Sequence, residues 1–184
     1  MQKLSYSQLA KLVKSAQQGE ESAFATLYAA TVENQLFFAT AFLRDSFLAE
    51  DAVQATYMAL YESLPRLENP RLVVAYLNRI CYNTCVDMLK KSSRFKGELE
   101  ADKLININDR TVAHSPEDNY LALEQNHEIY RALATLPAQQ KAMFLMRYYH
   151  NMKIREIALV LETSASTVKR GLKAATAKLA PILE

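Results

Sequence analysis

Glycine is scarce in this chain of 184 residues, with three occurrences, and proline, with five, is little commoner. Sandwiches, barrels and glycine-loop nucleotide folds need many more turns, so the composition excludes them. Gly19, Gly97 and Gly171 stand alone, and neither a P-loop nor a dinucleotide fingerprint can be written around them. Cysteine is limited to Cys81 and Cys85. Four apart on a helix, they cannot easily close an unstrained disulfide, and no histidine lies nearby to make them a metal site. Two buried thiols in a reducing compartment are expected. No stretch approaches the ~20 apolar residues of a membrane span. Met1 to Ser15 is polar and bears lysine, unlike a secretory leader. Excess charge is lacking too: 22 Lys and Arg stand against 20 Asp and Glu, a net +2. A soluble, cytoplasmic, all-helical protein is expected, and any case for nucleic acid must rest on where the charges sit.

What is present is helical periodicity. Ser5 and Gln8 form a capping-box pattern before Leu9, Leu12, Val13 and Ala16, and Gly19 ends that helix. A longer helix carries Phe24, Leu27, Tyr28, Leu36, Ala39, Phe42 and Leu43 on its apolar side. Asp45-Ser46 caps a third, with Ala52, Val53, Leu60, Tyr61 and Leu64 inward and Pro65 as its stop. Asn69-Pro70 starts a fourth, predicted to run to about Lys91 with Leu72, Val73, Tyr76, Leu77, Ile80, Cys81 and Cys85 inward. From Ser92 to Ser115 the periodicity fails and a flexible linker is predicted. Lys96 to Asp118 holds three basic and six acidic residues. Ser115-Pro-Glu-Asp118 is a further start signal, and helices are predicted over about 116–135, 137–149, 153–161 and 165–180. After Asp118 there are nine basic and five acidic residues, so charge separates along the chain.

Ile154 to Lys173 has the pattern of a helix-turn-helix. Ile154, Ile157, Ala158 and Leu161 bury its first helix, Thr163-Ser164 turns the chain, and Val168 with Leu172 buries the second. The other face of that helix carries Ser166, Thr167, Lys169, Arg170 and Lys173, hydroxyl and cationic groups suited to phosphates and base edges. No acid occurs between Thr163 and Leu183. An ordinary helical hairpin with a solvated basic face is the alternative.

With these segments in order, the chain resembles the extracytoplasmic-function (group IV) sigma factors of bacterial RNA polymerase. Asp45-Ser-Phe-Leu-Ala-Glu-Asp-Ala-Val-Gln-Ala-Thr-Tyr57 is similar to the family's polymerase-docking motif. Tyr76-Leu-Asn-Arg-Ile-Cys-Tyr-Asn-Thr-Cys-Val-Asp-Met-Leu-Lys-Lys91 is similar to its −10 segment. Ser115 to Asp118, Leu133 to Gln140 and Phe144 to Tyr148 resemble the entry into its −35-binding domain.

The resemblance implies two small helical domains: 1–94 for core polymerase binding and −10 capture, and 116–184 for −35 reading. A flexible acidic linker, 95–115, joins them, and no length remains for another domain after Glu184. Ser166, Thr167, Lys169, Arg170 and Lys173 would then meet the −35 duplex. Unpaired −10 bases would fall to Leu67, Asn69, Arg71, Tyr76, Arg79, Tyr82, Asn83, Lys90 and Lys91, with the Leu67–Arg71 loop as the pocket for a flipped base. Tyr76 falls on the apolar face and is either a stacker or a core aromatic; Tyr82 sits off that face, on the solvent side. Glu50, Asp51, Gln54 and Tyr57 would contact polymerase, or form an ordinary solvated acidic face. Core polymerase, promoter DNA and an anti-sigma protein are the implied partners, with no cofactor, metal or small-molecule substrate.

The chain departs from the family pattern at Ala55, where an acid is usual, and at Glu162, where the turn glycine is usual. It also has Gly171, Ala174 and Thr176 where basic residues are common, which predicts modest −35 affinity. Two other readings remain: a dimeric helix-turn-helix repressor that works without polymerase, and a degenerate sigma-like protein that binds a partner. Catalysis has little support, because His114, His127 and His150 are scattered without a carboxylate at ligand spacing.

Overall fold

In a computed structural model the chain is described over residues 4–95 and 129–183. All regular structure among these residues is helical. Helix α1 spans Tyr6–Gln17, and its Ser5–Gln8 capping box forms as predicted: Gln8 N donates to Ser5 Oγ, and Ser5 N donates to Gln8 Oε1 at 2.8 Å. Helix α2 (Glu21–Leu43) ends at Arg44, whose left-handed φ of 59° turns the chain into the Asp45 cap of α3 (Ser46–Ser63). Short 3₁₀ turns at Leu64–Arg66 and Pro70–Leu72 lead into α4 (Val73–Phe95). The Asn69 cap therefore serves a 3₁₀ turn, its Oδ1 accepting from Arg71 N at 3.1 Å. Residues 92–95, predicted as linker, continue α4; the rest of the predicted linker, and most of the predicted 116–135 helix, lie outside the described residues.

The C-terminal helices are α5 (residues 129–134), α6 (Ala138–Phe144), α7 (Ile154–Val160) and α8 (Ala165–Leu183). The helix predicted over 137–149 is split, because Leu145–Tyr149 forms a widened π turn. One extra residue in that turn brings Tyr149 onto α2. Its ring stacks on Phe37, centroids 3.9 Å apart and planes 4° apart.

Burial explains the layering. Leu27, Phe38, Leu60 and Leu77 close the space among α1–α4, and Leu133, Met143, Met146, Ile157 and Leu179 do so among α5–α8. Cys81 and Cys85 are fully buried and free, as expected, and the neighbouring thiol and burial push the Cys85 thiol up. Tyr61, predicted inward, is instead exposed. A seam joins the two sets of helices. Across it Lys141 Nζ donates to the Ala41 carbonyl at 3.2 Å, Asn78 Nδ2 to Met152 Sδ at 3.1 Å, and His150 Nε2 lies 3.2 Å from the Asn34 carbonyl. No helix among the described residues is long and apolar enough to cross a membrane.

Candidate nucleic-acid interface

The hairpin of α7 and α8 is built by local chemistry. Glu156 Oε2 accepts from Lys153 N at 2.7 Å and starts α7. Thr163 N donates to Ala158 O at 2.9 Å and Glu162 N to Leu159 O at 3.4 Å, a Schellman ending whose left-handed position is Glu162, φ 50°. A side chain there costs about 1 kcal/mol relative to glycine. Ser164 caps α8, its Oγ accepting from Thr167 N at 3.1 Å. The same oxygen lies 2.8 Å from Ser166 Oγ and 2.9 Å from Thr167 Oγ1, so three hydroxyls cluster at the start of the helix.

Beyond the cap, Lys169, Arg170 and Lys173 are all exposed, while Val168 and Leu172 are buried. The predicted −35 residues are thus brought together on one face, with Thr167 half-buried at its edge. Gly171 takes no part in that face. A Cβ there would run into Met143 Sδ of α6, so any larger residue at this helix-packing position would have to displace that thioether. Thr176 likewise turns inward, its hydroxyl donating to Leu172 O at 2.9 Å.

The residues predicted for the −10 strand lie along α4 and the turns before it. Asn69, Arg71, Arg79, Asn83, Lys90 and Lys91 are exposed. Leu67 is half-buried, and its carbonyl accepts from Gln17 Nε2 at 3.0 Å, which pins the loop to α1. Tyr76 is half-buried against the core. Tyr82, expected on the solvent side, is half-buried as well: its ring meets Phe42 edge-on at 5.5 Å, and burial pushes its phenol up. The α-helical period put Tyr82 off the core of α4 itself, but α2 covers that side too. Arg79 is turned toward α7, its Nη2 2.8 Å from Glu162 Oε1.

A third feature lies between α2 and α3, a groove of about 670 Å³ lined by apolar side chains with Glu50, Gln54 and Glu62 among them. Met58, 59% exposed, and Tyr61, 57% exposed, stand in it. Of the residues predicted to meet polymerase, Glu50 and Gln54 line the groove, and Asp51 is exposed outside its lining. Tyr57 does not project from the surface. It is 5% exposed, its hydroxyl 2.7 Å from Thr31 Oγ1, and burial holds its phenol well above the usual range. It forms the groove floor with Tyr28, against which its ring packs edge-on at 4.6 Å. Sequence reasoning missed Phe24, Tyr28 and Met58 as surface residues; the signal available was a run of apolar residues on α2 and α3 too broad for one buried face.

Comparison with known proteins joins these features. The family model described as Sigma-70 region 2 matches residues 27–95, and that described as Sigma-70, region 4 matches residues 126–179. The chain is similar to the RNA polymerase sigma factor SigV of Bacillus subtilis, 25% identical over 124 residues, 67% of this chain and 69% of SigV. It is similar to the ECF RNA polymerase sigma factor SigW of the same organism, 23% identical over 86% of this chain and 88% of SigW. It is also similar to the RNA polymerase sigma-E factor of Streptomyces coelicolor, 29% identical over 71% of this chain and 69% of that factor. Its fold matches the structure of CnrH in complex with the cytosolic domain of CnrY, with a TM-score of 0.70 at 22% identity, covering 96% of this chain and 97% of that one. With a region 2 that carries α2 to α4, a region 4 that ends in the α7–α8 hairpin, and relatives of this kind along most of its length, the chain belongs to the sigma-70 family as an RNA polymerase sigma factor of the ECF type.

Proposed function

We propose that this group IV factor works in the cytoplasm as two promoter readers, one spanning 1–94 and one spanning 116–184, joined through 95–115. The observation that carries this reading is the exposed cationic face of α8 behind its capped start, Lys169, Arg170 and Lys173 with no acid beside them. That helix reads the −35 duplex, its cations replacing counterions on the phosphates. Arg71, Arg79, Asn83, Lys90 and Lys91, with Asn69 and the Leu67 loop, take the −10 strand, where Arg79 and the edges of Tyr76 and Tyr82 offer stacking surface. The groove of α2 and α3 takes core polymerase. An anti-sigma protein is the further partner, an inference supported by CnrH, whose structure was solved with the cytosolic domain of CnrY.

The test is reconstitution of the full chain with bacterial core polymerase, read first as co-elution and then as run-off transcripts from a genomic promoter library. Transcripts sharing a −35 and −10 motif are expected; dimeric binding to duplex DNA with no co-elution would favour a repressor. Within the holoenzyme, Lys169→Ala and Arg170→Ala should each lower promoter affinity and reduce the salt slope by about one. Filter binding across a salt series reads this directly, and an unchanged slope in both variants would remove α8 from the −35 contact.

A further inference from the structure

Helix α1 lies before residues 27–95, the span that matches Sigma-70 region 2, and carries none of the residues assigned to promoter or polymerase. Its apolar stripe is short. Leu9 and Val13 are buried, and Leu12 and Ala16 pack beside them. Gln17, four residues after Val13 and the last residue of the helix, is the next position on that face. A glutamine at a helix end ordinarily turns to water. This one is half-buried, and its amide is aimed at the loop before α4.

That amide spans the entry to the loop. Gln17 Nε2 donates to Leu64 O at 2.9 Å and to Leu67 O at 3.0 Å, the residues that begin and follow the 3₁₀ turn Leu64–Arg66. Both neighbours are carbonyl oxygens, which only accept, so the nitrogen of the amide and not its oxygen must face them. The Leu64 carbonyl also receives Leu67 N at 3.1 Å. One side chain therefore ties together the two ends of the turn. Among the described residues, Leu67 O has no other donor.

On its far side the loop is held by its own groups. Asn69 Oδ1 accepts from Arg71 N at 3.1 Å, and Asn69 O from Leu72 N at 3.0 Å. Between these anchors, no hydrogen bond among the described residues uses the backbone N–H of Glu68 or of Asn69, and both residues are exposed. An exposed stretch held at both ends, with two uncommitted backbone donors, is suited to the edge of an unstacked base. A loop held in advance also loses less conformational freedom when it binds.

We propose that Gln17 is a positioning residue for −10 recognition: α1 delivers its amide to Leu64 and Leu67, so that the Leu67–Arg71 loop already has the shape that takes a −10 base. The inference rests on the reading of that loop as the pocket for a flipped base; the pinning of the loop stands on its own hydrogen bonds. Gln17 acts through the backbone and needs no contact with nucleic acid.

Two variants separate the donor from the bulk of the side chain. Gln17→Met keeps the length and removes the donor, and Gln17→Lys restores a donor able to serve both carbonyls. Hydrogen exchange of the full-length chain, without polymerase or DNA, reads the pinning. The amides of Leu67, Arg71 and Leu72, each bonded within the loop, should exchange about tenfold faster in Gln17→Met, with α2 and α3 unchanged. Gln17→Lys should return them to the slow rate. Unchanged exchange in Gln17→Met would overturn the pinning. Recognition is read as affinity of the holoenzyme for a single-stranded oligonucleotide carrying the −10 motif of the run-off transcripts, intact and with each position in turn made abasic. Gln17→Met should bind the intact strand about five- to tenfold more weakly at unchanged affinity for core polymerase, and the deficit should vanish at one abasic position. Gln17→Lys should close it. A deficit of equal size at every position would mark a general loss of structure and overturn the positioning role. A deficit in Arg71→Ala without one in Gln17→Met would overturn the role of Gln17 alone. No deficit in either would remove the loop itself from the −10 contact and overturn the reading on which the inference rests.

Discussion

Met58→Arg together with Tyr61→Arg should lower affinity for core polymerase at least about a hundredfold while leaving the melting temperature within about 2 °C. Both side chains stand more than half exposed in the α2–α3 groove, and the ring contact their replacement removes is the edge-on packing of Tyr61 on Phe24, centroids 5.0 Å apart. The groove combines an apolar floor with Glu50 and Glu62 among its lining residues, and fits a partner surface that is apolar and basic. Two added arginines take away the apolar anchors and set like charge against such a partner. Anchors of this type are each worth about 2 kcal/mol when they are hot spots, which gives the expected loss. Titration of labelled chain with core polymerase measures it. Unchanged affinity would place the polymerase contact outside the groove.

Much of this was legible in the residues, and the reasons differ from place to place. The Ser5–Gln8 box, the Asp45 cap and the helix-turn-helix spacing are local chemistry, and each forms as read. The cationic face of α8 follows from helical period, because Val168 and Leu172 bury one side and leave Lys169, Arg170 and Lys173 outside. Tyr57 lies within the buried stripe of α3, between Val53 and Leu60, so its inward position follows from helical period alone. Tyr82 differs: it sits where α4 ends its apolar stripe, and α2 covers it there. One-helix periodicity carries no information about that second layer. Gly171 was read as a place where a basic residue is common, and only the approach of Met143 shows it to be a packing position. The seam was invisible for a deeper reason: the sequence carries no local signal of contacts whose partners lie 116 positions away for His150 and 100 for Lys141.

Lys141 provides the second large effect, a dependence of stability on pH. Burial first, and the nearby Arg44 guanidinium second, bring its ammonium down to about 8 from the ordinary 10.5. In the unfolded chain the side chain returns to water and to its ordinary value. A base whose value is lowered in the folded state gives up a proton on folding, so its contribution to stability grows as pH rises through that window. Below about 8 the ammonium is charged in both states and the buried charge opposes folding most. Above 8 its share of the folding constant should climb by up to about tenfold per pH unit. Other groups oppose this rise: burial pushes Tyr130 up to about 12 and also raises Tyr149, so their ionisation in the unfolded chain lowers stability above about 10. The Lys141 share is therefore read as the difference between the unsubstituted chain and Lys141→Met, by urea unfolding at about pH 8 and about pH 9.5. Lys141→Met removes the titrating group, and its advantage over the unsubstituted chain should shrink by about tenfold in the folding constant between those two pH values. A difference that stays constant across the interval would show that Lys141 keeps its ordinary value in the folded protein.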